Sequence, residues 1–316
     1  MILITGAAGF IGSSLALELL KTTNHKIIGI DNLNDYYSVE RKKANLKELE
    51  SFSNFEFKKL DFIDLESLDK LFKEYNFETV AHIGAMANAR YSIKNPRDYL
   101  NSNINGTFNL IELSNKYKVN NFVFGSTSSA YGRRSELPFI EDNIENPILS
   151  MYSASKKACE DIGYTFHNLH NLNFTVLRFF NVYGPKGRPD MMPYIVVDKI
   201  LNDQEITIFG DGSMKRDWTY VDDIISGVIA AINTPLGFEK INLGKGEPVS
   251  LNEFINIAEE LCGKKAIRKE VQIPNTDTDI TYASIKKAKD LLNYNPQTSL
   301  PIGYKHFYEW YNKNHF

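Results

Sequence analysis

Little in this chain points to export, to a membrane or to nucleic acid. Cysteine occurs only twice, as Cys159 and Cys262, too far apart for a metal-ligand spacing. Both are read as reduced thiols of a cytoplasmic protein. No apolar run approaches the roughly 18 residues needed to span a bilayer. The opening MILITGAAG is a short apolar stretch without a basic lead-in, which argues against a signal peptide. An excess of one charge is also lacking: 36 basic against 39 acidic residues offer no field for nucleic acid or an anionic membrane. His167 and His170 share a helix face but have no companion ligands, so they are read as a surface pair and no metal is expected. Repeats and low-complexity tracts are missing too. The 316 residues suffice for one large domain or two.

What the chain does contain is centred on Tyr152-Ser153-Ala154-Ser155-Lys156, with Ser126-Thr127-Ser128-Ser129 upstream. The spacing from Met151 to His170 predicts a helix of about five turns, which stacks Tyr152 and Lys156 on one face. An ammonium beside a phenol favours the phenolate, so Tyr152 is expected to titrate below its ordinary value of about 10. Such a tyrosine can take a proton from an alcohol. Tyr-x-x-x-Lys alone is weak, and its meaning depends on context.

That context begins at the first residues. Ile2 to Thr5 reads as a buried strand running into Gly6-Ala7-Ala8-Gly9-Phe10-Ile11-Gly12, where a helix starts. Small residues let the backbone approach a pyrophosphate, and the helix amides point at it. A second strand, Lys26 to Ile30, ends at Asp31, about 20 residues past the glycines, where a carboxylate binds ribose hydroxyls and repels a 2′-phosphate. This favours NAD over NADP. Val39 to Glu50 is a charged helix expected to be solvated. Strand Phe55 to Leu60 closes on Asp61-Phe62, and strand Thr79 to Ile83 on Gly84-Ala85-Met86-Ala87, small enough for ligand contact or tight packing. Asp98 to Tyr117 reads as a long helix, Asn121 to Gly125 as a fifth strand and Phe174 to Phe179 as a sixth. The alternation implies an α/β fold with a doubly wound, Rossmann-type parallel sheet over residues 1–180.

The pattern changes at Tyr183 to Pro189. Residues 181–316 read as a smaller mixed α/β, substrate-binding domain, with 217–235 able to pack back on the first.

GAAGFIG, Asp31, Asp61-Phe62, STSSAYG, YSASK, RFFNVYG and RDWTYVDD occur in order over almost the whole chain. The sequence resembles the extended short-chain dehydrogenase/reductase family, and within it the nucleotide-sugar 4-epimerases. DNLNDYY, RYSIKNP and YGPKGRPDM look most like UDP-glucuronate 4-epimerases. The resemblance implies that Tyr152 is the catalytic base, Lys156 its partner on the nicotinamide ribose, and Thr127 the hydroxyl on the reacting sugar oxygen. It implies NAD at Gly6, Gly9, Phe10, Ile11, Gly12, Asp31, Asn32, Asp61, Phe62, Ile83, Gly84, Ala85 and Ser102. It places the substrate's diphosphate and ribose at Asn181, Arg216 and Asp277, uridine at Met191, Met192, Thr207 and Phe209, and the sugar at Arg188, Ser128 and Ser129. It also implies a homodimer through the helices near Asp98 to Tyr117 and Met151 to His170.

Three positions depart from the pattern. Gly84 stands where alanine is usual, and Pro274 where glucose epimerases carry a phosphate-binding arginine. Asn181 stands where glucuronate epimerases have threonine and glucose epimerases asparagine. UDP-glucuronate is the first expected substrate, followed by UDP-glucose and an N-acetylhexosamine. Ser128-Ser129 replace the Asp-Glu pair of the 4,6-dehydratases, and Ser129 the glutamate of UDP-xylose-forming decarboxylases. An idle NAD-binding sensor or scaffold is the alternative from another class.

Overall fold

A computed structural model describes residues 1–133, 136–141, 146–272 and 279–314. Its centre is a seven-stranded sheet in which every neighbouring pair is parallel. Across the sheet the order is Phe238–Leu243, Phe174–Phe179, Asn121–Thr127, Thr79–His82, Ile2–Thr5, Ile27–Asp31 and Phe55–Lys59. Strands Ile2–Thr5, Ile27–Asp31, Thr79–His82 and Asn121–Thr127 are buried along their whole length. Layers on both faces produce that burial.

Alternation along each strand feeds two cores. Ile2 and Ile4 pack with Leu15, Leu19, Ile224 and Val228, from helices Phe10–Thr22 and Val221–Asn233. Leu3 packs on the other side with Leu68, Leu110 and Cys159, from helices Leu65–Glu74, Thr107–Lys116 and Met151–His170. Register aligns Thr5 with both Ile30 and His82, so the strands' carboxyl ends share one edge. The chain reverses its direction of travel between Ile2–Thr5 and Thr79–His82, and open α/β sheets bind ligands in the crevice at such a point.

After residue 180 the chain builds small sheets around Lys215–Tyr220 and Glu205–Phe209, covered by helices Met192–Leu201, Leu251–Cys262 and Leu300–Lys313. Tilted ring contacts bind these together, with Phe254 4.6 Å from Trp218 and 4.5 Å from Tyr304 between centroids. The chain also returns to the first sheet. Helix Val221–Asn233 covers one face, and Phe238–Leu243 pairs with Phe174–Phe179 as the outermost strand. A cut at residue 180 would therefore remove a strand and a helix from the first unit.

The helix expected over Asp98 to Tyr117 is present as an unbroken run of Pro96–Tyr99, a widened turn Leu100–Gly106, and Thr107–Lys116. Within that turn the carbonyl of Asn103 accepts the Cys159 thiol at 3.2 Å. One local expectation needs correction: helix Val39–Leu49 exposes Glu40, Lys43, Lys47 and Glu48 as expected, but Arg41 and Lys42 are buried. Arg41 lies over the Tyr194 and Trp310 rings, 4.5 and 5.5 Å from their centroids. Lys42 Nζ donates to the backbone and side-chain oxygens of Asn34, both at 2.8 Å. Long basic side chains can bury their stems and still find partners, which a hydropathy pattern does not register.

Candidate active site

The crevice is a cleft of about 250 Å³ running from the glycine turn to Tyr152. At its floor Gly6 has φ +68°, and a side chain there would press on Gly84 Cα. A side chain at Gly12 would collide with the Gly6 carbonyl oxygen. Gly84 thus serves tight packing between two turns as well as the cleft wall. Helix Phe10–Thr22 begins here without a side-chain cap and without an acid in its first turn. Its first amides remain available to an anion.

Asp31 closes one end. Its carboxylate accepts from Leu33 N at 2.8 Å and Ala8 N at 3.3 Å, with Lys42 Nζ 4.0 Å away. Burial raises its proton affinity, and Lys42 and the two amides oppose that rise. Asn32, Phe62, Ile83, Ala85 and Ser102 also line the cleft. Of the residues expected to hold the cofactor, only Asp61 lies off this wall; it accepts from Asn32 Nδ2 at 2.8 Å and so positions a residue that is on it.

Thr127, Tyr152 and Lys156 meet at the other end. Thr127 is the last residue of the fifth strand, and its Oγ1 accepts from Ser129 N at 3.1 Å. Its own hydroxyl proton is then left for the Tyr152 phenol, whose ionised form it favours. The expected acidic tyrosine is not found. Burial raises the Tyr152 phenol, and the Thr127 hydroxyl and the Arg188 charge only partly counter it. Lys156 does not counter it, because its Nζ donates to the Gly125 carbonyl at 2.7 Å and rests 4.5 Å over the Phe124 ring. Burial also pushes Lys156 down to about 8.

Arg188 and Met191 reach the cleft as expected. The guanidinium grips Asp190 through Nε at 2.9 Å and Nη2 at 3.1 Å. Ser128, Ser129, Asn181, Met192, Thr207, Phe209 and Arg216 are not on the wall of this cleft. Ser129 is exposed in the turn after Thr127, and Asn181 opens strand Asn181–Tyr183. Thr207 and Phe209 lie in strand Glu205–Phe209, where the Arg90 guanidinium covers the Phe209 ring at 4.5 Å. Arg216 Nη1 donates to the carbonyls of Lys215 and Asp279, at 2.9 and 3.3 Å. Asp277 falls outside the described residues.

Sequence reasoning missed Tyr36, Tyr37 and Lys42, which line the cleft, and Asp190, which anchors Arg188. The tyrosine pair in DNLNDYY and the Arg-x-Asp spacing of GRPD were the available signals. Neither has a period that reveals its partner.

The family model described as "NAD dependent epimerase/dehydratase family" matches residues 2–244. A UDP-glucuronate 4-epimerase of Thermodesulfobacterium geofontis (strain OPF15) is 44% identical over 313 residues, 99% of this chain and 96% of the relative. The crystal structure of a UDP-glucuronic acid 4-epimerase from Bacillus cereus, in complex with UDP-glucuronic acid and NAD, superposes with a TM-score of 0.92 at 36% identity, covering 99% of each chain. A UDP-glucose 4-epimerase from Thermotoga maritima with UDP-glucose gives a TM-score of 0.89 at 32% identity, covering 99% of this chain and 98% of that one.

Proposed function

Because this chain belongs to the NAD dependent epimerase/dehydratase family, we propose that it inverts C4 of a UDP-sugar, converting UDP-glucuronate to UDP-galacturonate. The observation that carries the reading is the convergence of Thr127, Tyr152 and Lys156 at the far end of the cleft that begins at the glycine turn. The residues present fit NAD. Gly6, Gly9 and Gly12 with the uncapped helix suit its pyrophosphate, and the buried Asp31 suits an unphosphorylated ribose.

Bound NAD supplies the hydride acceptor and donor for sugar C4. Tyr152 takes the C4 hydroxyl proton and later returns it. Thr127 holds the same oxygen and steadies the phenolate, and the Arg188 charge favours that phenolate from the other side. Lys156, held on Gly125, presents its ammonium to the nicotinamide ribose. Inversion needs the 4-keto sugar to turn over between the two proton transfers. Binding energy therefore belongs on the UDP, through Arg216, Phe209, Thr207, Met191, Met192, Asn181 and Asp277. Arg188 with Ser128 and Ser129 takes the sugar carboxylate.

A neutral hexose is the second reading. It is favoured by Asn181, and by Asp190 already balancing the Arg188 charge. Incubating the protein with UDP-glucuronate, UDP-glucose and UDP-N-acetylglucosamine, and following the sugars by NMR, decides between them. Inversion of the uronate alone supports the first reading, and inversion of neutral sugars alone supports the second.

A homodimer belongs to the same proposal. Leu100 and Phe108 are exposed on one helical run and Leu169 on helix Met151–His170, with Phe108 and Phe166 in contact at 5.9 Å between centroids. These side chains give two neighbouring helices an apolar seam for their copies. Light scattering at micromolar concentration should report twice the 36.1 kDa chain mass, and a monomer would refute it. The same proposal puts the reaction in the cytoplasm, a reading that the free thiols of Cys159 and Cys262 support.

A further inference from the structure

Three loops over the cleft meet at the Asp190 carboxylate. Its Oδ1 accepts from Arg188 Nε at 2.9 Å. Its Oδ2 accepts from Arg188 Nη2 at 3.1 Å, Asn88 Nδ2 at 2.8 Å and Tyr36 OH at 3.0 Å. Three of the four bonds crowd onto Oδ2, which leaves Oδ1 one of its two acceptor sites. Asp190 is thus committed mainly to protein donors. The donors come from separate segments: Tyr36 follows strand Ile27–Asp31, Asn88 follows Thr79–His82, and Arg188 follows Asn181–Tyr183.

The pairing constrains the arginine. A fork held at two nitrogens fixes the plane of a guanidinium, which a single contact does not. Nη2 also donates to the Ala87 carbonyl at 3.3 Å. Among the described residues this leaves Nη1 as the nitrogen without a hydrogen bond. The same network reaches the proposed base from behind. The Tyr99 hydroxyl donates to Asn88 O at 2.6 Å and accepts from Asn88 N at 3.3 Å. The Tyr99 ring meets Tyr152 edge-on, 6.2 Å between centroids.

We propose that Asp190 is a positioning residue: holding Arg188 by Nε and Nη2, it turns Nη1 toward the sugar, and holding Asn88 and Tyr36, it keeps the loops beside Tyr152 in register with that arginine. The proposal rests on the epimerase reading. An anionic sugar then meets an arginine whose direction is fixed and whose charge is already shared. Such an arrangement contributes orientation more than raw affinity.

The test is a double-mutant cycle between Asp190→Asn and Arg188→Ala, read on kcat/KM for UDP-glucuronate with NAD present. Alone, Asp190→Asn should lower kcat/KM by about 10- to 100-fold, the scale of a misplaced binding group. In the Arg188→Ala background the same change should cost less than about twofold, because residues that act through one another are strongly non-additive. Equal losses in both backgrounds would overturn the proposal and make Asp190 a plain loop anchor. Tyr36→Phe removes one donor without a charge change, so it serves if Asp190→Asn does not fold. Its loss, about tenfold on the scale of one hydrogen bond to a charged group, should likewise vanish beside Arg188→Ala, and persistence there overturns the proposal. The same cycles read on UDP-glucuronate binding by calorimetry need no turnover. They separate a failure of Asp190 from a failure of the epimerase reading, which would appear as an inactive wild type.

Discussion

Lys156 Nζ donates to the Gly125 carbonyl oxygen at 2.7 Å, and this contact decides how the lysine serves the site. The ammonium sits inside the protein, on the strand that carries Thr127, rather than against the Tyr152 phenol. Burial disfavours its charge and brings it to about 8 from an ordinary 10.5, although Cys159 and Glu160 pull upward. The protein thus stores an unfavourable charge where chemistry needs one.

The first prediction follows from that cost. The folded lysine titrates near 8 and the unfolded one near 10.5, so between these values the unfolded chain binds more protons and stability rises with pH. Below about 8 the full penalty applies. Lys156→Met should therefore be inactive yet more stable than wild type at pH 7 by about 1–3 kcal/mol. The gap should close as pH climbs from 8 toward 10.5. Calorimetric melting of both cofactor-free proteins across that range checks it, and a mutant less stable at pH 7 would contradict it.

Tyr152→Phe keeps the ring and removes the proton acceptor. Turnover should fall by at least about 10²-fold, the usual cost of losing a general base. The melting temperature and NAD content should stay near wild type. A variant retaining more than about a tenth of the activity would remove Tyr152 from its role.

Protein released by denaturation should yield NAD rather than NADP. Asp31 is buried at the end of its strand, and a 2′-phosphate would bring two further negative charges against it. Chromatography of the released nucleotide decides this. Mainly NADP would mean that the neighbouring Lys42, 4.0 Å from Asp31 Oδ1, controls the choice instead.

Arg188→Ala should weaken UDP-glucuronate use far more than UDP-glucose use, and some UDP-pentose should appear. A 4-keto uronate is a β-keto acid and loses CO₂ when its carboxylate swings perpendicular to the carbonyl plane. In the proposed site Arg188 and the neutral hydroxyls of Thr127, Ser128 and Ser129 are assigned to that group, and none of them is a strong acid. Product analysis on both sugars checks the prediction. Equal losses would assign Arg188 to the diphosphate or the fold and make Asn181 the better guide to the substrate.

The sequence by itself determined the parallel sheet, the glycine turn, Asp31 and the Tyr152–Lys156 helix. Each is a local property: strand and helix periods, a turn that excludes side chains, and two residues one helical turn apart. It carried the residue types of the site as well. The direction of the Lys156 ammonium was not legible, because i and i+4 fix a face and not the partner that a long side chain takes. Neither the raised Tyr152 phenol nor the lowered lysine has a signal in the chain, since burial is set by every element packed around them. Strand Phe238–Leu243 joined the first sheet across a long stretch of sequence, and Asp190 gathered Tyr36, Asn88 and Arg188 from three loops. Those pairings follow from which surfaces meet when the layers close, and only the tertiary structure decided them.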